Sequence, residues 1–269
     1  MADLRLAVLI SGSGTNLQAL LDGRAEGRLA GRVVAVVSDR DNVRGLERAR
    51  SAGVPAHVVD YGSLLKVPAE EVSRHEFPTD LEDLDRVQRI IKNTDRQRRL
   101  YHLGRLVLAE QRLISLLDAY RPDYICLGFM RLVTPYFLSH YRRGQEPRVL
   151  NIHPALLPSF PGRHGYEDTF AYGCKWGGVT VHFVDEGEDT GPIVAQAVYP
   201  IWPEDDEEKV RKRGLQLEYE IYTQCINWLA AGQVELKREA GKRFRTVITD
   251  PAYPKIVRSW LEKSLSADD

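Results

Sequence analysis

The sequence predicts an α/β fold: a mostly parallel, twisted sheet flanked by helices and finished by an antiparallel sheet edge. Three observations carry this. Short apolar runs bounded by glycine and polar turns alternate with segments of helical periodicity over residues 4–62. The first apolar run meets the first periodic segment through Ser11-Gly12-Ser13-Gly14, a strand–glycine turn–helix junction. Farther on, Val179–Val184 and Ile193–Ile201 follow one another without room for a helix between them, which suits antiparallel neighbours.

Leu4 to Ile10 is apolar throughout and predicts a buried first strand, and Thr15–Glu26 predicts a helix with Leu17, Leu20 and Leu21 on one face. The free amides of that helix, with the backbone of Gly12, Ser13 and Gly14 and the polar groups of Thr15 and Asn16, form a candidate anion site; a plain tight turn is the alternative. A dinucleotide-binding turn of the form GxGxxG would need glycine at position 17, where Leu17 stands. Arg32–Ser38 predicts a second strand, residues 44–52 a short helix ended by Gly53, and Ala56–Val59 a third strand. Asp39 closes the second strand either as a turn residue or in imitation of a ribose-binding acid. Right-handed crossovers between such strands gather ligands at the strands' carboxyl ends.

Residues 63–105 interrupt this alternation and predict an inserted helical arm. Apolar residues recur at three- and four-residue steps from Leu81 to Tyr120, among them Leu84, Val87, Ile91, Leu103, Leu106, Leu113 and Leu117. One helix of that length is unusual, and Thr94 with Gln97 has the form of a capping box, so a break near Asn93 is expected. The basic run from Lys92 to Arg105 reads as a solvated helix face, with a partner or homodimer contact as the sharper alternative. Asp123–Gly128 predicts the fourth strand, Pro135–Tyr141 a short helix, Val149 the start of a fifth strand, and Glu167–Tyr172 another helix. Asp206–Ala231 predicts a long amphipathic helix, opened by the acidic run Glu204–Glu208 and closed by Gly232. The rest, residues 237–269, forms an extension with a basic strand-like piece (KRFRTVIT), a turn at Asp250-Pro251 and a final helix from Pro254 to Leu265. No internal repeat or low-complexity linker divides the chain.

Composition narrows the class. The chain has 269 residues, 43% of them hydrophobic, enough for one large core. A formal net charge of −1 supplies no global attraction to nucleic acid or to an anionic membrane. The three cysteines, Cys126, Cys174 and Cys225, lie far apart with no zinc-like spacing, and no cluster of ligands suggests a metal. The opening apolar run is too short for a signal peptide and no stretch reaches a membrane span, so a cytoplasmic enzyme is expected.

The chemistry concentrates in VLNIHPALLPSFPGRH, residues 149–164. Strand alternation puts Asn151 and His153 on one face before Pro154 stops the strand. An Asn amide can donate to a developing oxyanion, and a His can donate or carry a proton near neutrality; a strand end whose His caps a turn is the bland alternative. Pro154, Pro158 and Pro161 with Gly162 make a stiff loop that suits a ligand, although structural loops use the same residues. Downstream, GVTVHFVDEGEDTGPIV carries His182 on another strand, then an acidic loop with Asp185, Glu186, Glu188 and Asp189. A carboxylate beside an imidazole raises its pKa and fixes its orientation, which makes Asp189 with His153 the candidate dyad.

Four stretches in order, AVLISGSGTNLQALLD, GFMRLV, NIHPALLPSFPG and HFVDEGEDTGP, resemble the phosphoribosylglycinamide formyltransferase family. The resemblance covers most of residues 4–62 and 106–236 and implies a Rossmann-like formyltransferase domain over residues 1–236, holding the 63–105 insertion. It also implies transfer of a formyl group from 10-formyltetrahydrofolate to the amine of glycinamide ribonucleotide in purine biosynthesis, without a metal. By the same resemblance Asn151, His153 and Asp189 are catalytic, and Gly12, Ser13, Gly14, Thr15 and Asn16 hold the substrate phosphate. Glu218 then reaches the ribose hydroxyls, where the alternative is an ordinary exposed helix glutamate. Met130, Arg131, Leu132 and Val133 flank the folate pterin together with Asn151, Asp185 and Asp189, and His164 and His182 lie nearby. Position 166 is Tyr here where some members have His, and the family's folate-side arginine has no assigned counterpart among Arg98, Arg99 and Arg105. The rival readings are a formyltransferase acting on another phosphorylated amine, a formyltetrahydrofolate deformylase, and a non-catalytic folate- or nucleotide-binding relative.

Overall fold

The computed structural model describes residues 3–238 and 243–266. Strands β1 (Leu4–Ile10), β2 (Gly31–Ser38), β3 (Ala56–Val58), β4 (Tyr124–Gly128), β5 (Val149–His153), β6 (Trp176–Phe183) and β7 (Ile193–Pro200) form one sheet in the order β3-β2-β1-β4-β5-β6-β7. The first five run parallel, while β6 and β7 form the antiparallel edge. β1 therefore has β2 on one side and β4 on the other. The order reverses there, and a crevice opens at the carboxyl ends of β1 and β4.

Helices cover both faces. On one face α1 (Thr15–Ala25), α9 (Glu207–Ala230) and α10 (Tyr253–Leu265) bury a core that includes Leu6, Val8, Leu17, Ile221, Tyr222 and Trp228. On the other face α6 (Arg96–Asp118) and α7 (Pro135–Tyr141) bury Leu9, Val37, Leu113, Ile125 and Phe137. The central strands β1, β2 and β4 are largely apolar on both faces because each side of the sheet is covered. Helices α2 (Arg44–Ser51) and α8 (Gly165–Ala171) complete the frame. A separate hairpin pairs β8 (Val234–Lys237) with β9 (Arg245–Ile248) in antiparallel fashion.

The sequence differs from this structure at several boundaries. After α3 (Tyr61–Leu64), the 63–105 segment holds α4 (Ala69–Arg74), α5 (Leu81–Val87) and the first turns of α6, with α4 and α5 packed against α6. Gly104 of α6 shows how closely: a Cβ there would stand 2.7 Å from Val72 Cγ1. The helical break falls near Asn93 as expected, but Asp95, not Thr94, caps α6, its Oδ1 accepting from Arg98 N at 3.1 Å. Gln97 instead donates to the Tyr101 hydroxyl at 2.7 Å, so no reciprocal box forms. β6 begins at Trp176, three residues before the expected start, because Gly177 and Gly178 lie beneath Tyr199 and Leu156 where a side chain would clash. Of the strand-like piece KRFRTVIT only Arg245–Ile248 is strand; Lys242 lies outside the described residues. Its partner β8 goes unpredicted.

Candidate active site

β5 and β6 set the centre. Asn151 and His153 leave the same face of β5, and Asn151 stands opposite His182 across the antiparallel pair. They open into a cleft at the carboxyl ends of the strands, which also receives Asn16, Val133 and Asp189. Asp189 arrives from the loop between β6 and β7. Asp185 shapes that loop by accepting from Gly187 N at 3.1 Å and from the Thr190 hydroxyl at 2.6 Å.

The Asp189 carboxylate is the hub. One oxygen accepts from Gly162 N at 2.8 Å and faces His153 Nδ1 at 3.3 Å; the other faces Asn151 Nδ2 at 3.4 Å and His182 Nε2 at 3.5 Å. Burial opposes its charge, yet the His182 contact, the His153 charge and the Gly162 amide outweigh that cost and hold its pKa below the usual carboxylate value. Asp189 is thus an anion at neutral pH.

His153 is 2% exposed, with Nε2 at 2.8 Å from the Phe160 carbonyl and Nδ1 facing Asp189. Both ring nitrogens face acceptors, an arrangement that only the imidazolium satisfies in full. Burial works the other way and is the larger effect, so His153 titrates below its ordinary value despite Asp189. Asp189 and Phe160 both adopt left-handed backbone conformations (φ 54° and 52°), a local cost of about 1–3 kcal/mol each that the surrounding fold sustains. His182 Nδ1 faces the Phe183 carbonyl at 2.8 Å, and its Nε2 lies 3.3 Å from the Asn151 amide nitrogen and 3.5 Å from Asp189. The Asn151 amide contacts are long enough that redirecting them to a ligand costs little.

A depression lined by the β1–α1 turn adjoins the cleft, and Asn16 borders both. Gly14 takes φ +67° at the helix start, where a Cβ would stand 2.7 Å from Gly45 Cα; only glycine lets the two segments approach so closely. No side chain caps α1, so its first amides are free for an anion. Ser11 Oγ ties this turn to the loop after β4 by accepting from Met130 N at 2.9 Å. Asn16 Nδ2 donates to Glu218 Oε2 at 2.6 Å, while Asn16 Oδ1 is buried with no hydrogen-bond partner among the described residues. Glu218 is not an exposed helix residue: it is 4% exposed, its other oxygen accepts from the Tyr166 hydroxyl, and burial raises its pKa.

Other sequence-predicted residues are placed differently. Val133 lines the cleft from a buried position and Met130 and Leu132 from exposed ones. The Arg131 side chain turns to buried Asp39 at 2.6 Å, which settles the role of Asp39 as an anchor for this loop. Asp185 lines the neighbouring groove rather than the cleft, and His164 is exposed at the start of α8, where Arg163 is the cleft residue. Arg99 pairs with Asp85 at 2.9 Å, Arg105 donates to the Val67 carbonyl at 2.7 Å, and Arg98 points outward; none lines the cleft. Sequence reasoning missed Ile90, Arg163 and the Gly162 amide. The Pro161-Gly162 pair was a signal for the last; Ile90 gave none. Among the described residues no group of three or more His, Cys, Asp or Glu is placed to hold a metal, and no helix is long and apolar enough to cross a membrane.

Comparison with known proteins agrees with this geometry. The family described as formyl transferase matches residues 4–226. The phosphoribosylglycinamide formyltransferase of Escherichia coli K12 is 33% identical over 238 residues, covering 88% of this chain and 92% of its own. That of Mycobacterium tuberculosis H37Rv is 38% identical over 230 residues, covering 85% and 86%. The crystal structure of glycinamide ribonucleotide transformylase 1 from Symbiobacterium toebii superposes with a TM-score of 0.70 at 38% identity, covering 92% of this chain and 95% of that one.

Proposed function

The chain belongs to the formyl transferase family, and from that premise we propose that its cleft moves the formyl group of 10-formyltetrahydrofolate to the primary amine of glycinamide ribonucleotide. The observation that carries this reading is the junction of two sites. The Asn151–His153–Asp189 centre opens beside a free helix N-terminus suited to a phosphate, with Asn16 bordering both. Hydrolysis of the formyl group would leave that anion site without a task.

The amine attacks the formyl carbon, a C–N bond forms, and the carbonyl oxygen becomes an oxyanion. Asn151 Nδ2 and the His153 imidazolium are the donors for that charge, the first released from its long contacts and the second from the Phe160 carbonyl. The attacking nitrogen must then lose a proton and the departing folate nitrogen must gain one before the old C–N bond breaks. Asp189, held ionised, stabilises the imidazolium, while a water beside it carries the proton from the attacking nitrogen to the departing one. The free α1 amides hold the phosphate, while Glu218, with Asn16 and Tyr166 on its carboxylate, faces the ribose hydroxyls. The apolar flank formed by Leu132 and Val133 receives the pterin. Three unpaired cysteines are compatible with a reducing cytoplasmic setting.

The test follows consumption of 10-formyltetrahydrofolate by the purified protein with glycinamide ribonucleotide, with other phosphorylated amines, and with buffer alone. Turnover confined to the ribonucleotide is expected. Equal turnover in buffer would make the protein a deformylase, and preference for another amine would move the acceptor.

A further inference from the structure

One wall of the cleft comes from the inserted segment. Ile90 lies between α5 and α6, is 7% exposed, and packs in the same core cluster as Leu127 and Val133 while lining the cleft. Buried Gln88 fixes its presentation. Gln88 Oε1 accepts from the backbone amides of both Ile90 (3.0 Å) and Ile91 (2.8 Å), and Nε2 donates to Asp85 at 3.1 Å. Asp85 is in turn held by Arg99. This is a side-chain-built turn at the end of α5, and its product is one apolar side chain lining the cleft.

The same strap grips the catalytic loop from the outside. Arg89 N donates to the Glu186 carbonyl at 2.8 Å, and Lys92 Nζ reaches Glu188 at 3.1 Å. The backbone contact is the anchor, since the lysine pair lies at an exposed rim and is worth little. Glu186 and Glu188 flank Gly187 within the loop that carries Asp189, so the strap touches the site as a wall and as a brace.

We propose that residues 88–92 form part of the folate-binding site. Ile90 contacts the planar heterocycle of the cosubstrate and sets affinity for it, with Gln88 as its positioning residue. This rests on the formyl-transfer reading, because it takes the ligand of this wall to be a folate. An apolar β-branched side chain offers a flat heterocycle contact without a polar demand, and trimming it removes contact to one substrate only.

The test is a pair of titrations on the full chain. Calorimetry with tetrahydrofolate reads folate affinity regardless of which amine is the acceptor, and steady-state kinetics reads each KM. Ile90→Ala is expected to weaken folate binding and raise its KM roughly tenfold while leaving the ribonucleotide KM within about twofold. Gln88→Ala should shift the same parameter less. Ile90→Val, which opens little space, carries the comparison if the alanine variant folds poorly, with an expected loss of about threefold. Unchanged folate affinity in folded Ile90 variants overturns the proposal, as does an equal rise in both KM values. If wild type binds tetrahydrofolate but formylates no ribonucleotide, the functional reading fails while the strap is still judged by calorimetry.

Discussion

Replacing Asp189 by Asn removes the charge at the hub while keeping an acceptor for Gly162 N. Asp189 faces His153 Nδ1 at 3.3 Å, and its side chain is only 12% exposed. At an effective dielectric near 20, a unit pair at that distance interacts by roughly 5 kcal/mol, an upper bound on what the imidazolium loses. Neighbouring charges shift pKa values by about one to three units in practice. His153 already titrates below its ordinary value through burial, so losing Asp189 moves it farther down. At neutral pH the imidazolium then becomes scarcer, and turnover should fall by about one to three orders of magnitude with little change in substrate binding. Turnover with saturating substrates gives the first reading, and NMR titration of the His153 ring in both proteins gives the second. Turnover within about threefold of the parent, or an unmoved His153 midpoint, refutes the coupling.

Three further perturbations test the supporting structure. Glu110 is fully buried on α6, accepts from Thr134 N at 2.6 Å and pairs with the Thr134 hydroxyl at the start of α7; burial pushes its pKa up to about 8. The folded chain therefore holds a proton that the unfolded chain releases near 4.5, so this stabilisation is complete at low pH and is lost as pH rises toward about 8. Glu110→Gln should flatten that loss, on the order of 3–5 kcal/mol, in urea midpoints compared at about pH 5 and pH 8; parallel curves would contradict it. Gly14→Ala places a Cβ 2.7 Å from Gly45 Cα at φ +67° and should raise the ribonucleotide KM at least about tenfold, with the folate KM steady. Tyr166→Phe strands a buried Glu218 oxygen, costing about 1–3 kcal/mol in thermal or urea stability, and should raise the ribonucleotide KM alone; equal effects on both substrates would argue against a substrate-side role.

The legible parts of this protein are those set by local period and turn chemistry. β1, α1, β2 and β5 announce themselves by apolar runs and glycine or proline stops, and strand alternation alone puts Asn151 and His153 on one face. The acidic loop with Asp189 was visible as composition, and its pairing with His153 was expected from the chemistry; the antiparallel pairing of β5 with β6 shows how the two come together. What stayed hidden depends on distant packing. Ile90 looks like any apolar residue in a helical pattern until Gln88 turns the chain toward the cleft. Asp39 could be a turn residue or a ribose-binding acid until Arg131, 92 positions away, reaches it. The net direction of the His153 shift also needs three dimensions, since the favourable carboxylate is readable and the opposing burial is not.

The central claim is that this cleft delivers the formyl group to an amine by way of His153 and Asp189. The most direct measurement follows an isotopic label in the formyl carbon of 10-formyltetrahydrofolate through a single turnover with glycinamide ribonucleotide, for wild type and for His153→Ala. Wild type is expected to place the label in the formylated ribonucleotide with little in formate, and the variant to transfer almost none. Label accumulating as formate, or transfer by His153→Ala at the wild-type rate, would contradict it.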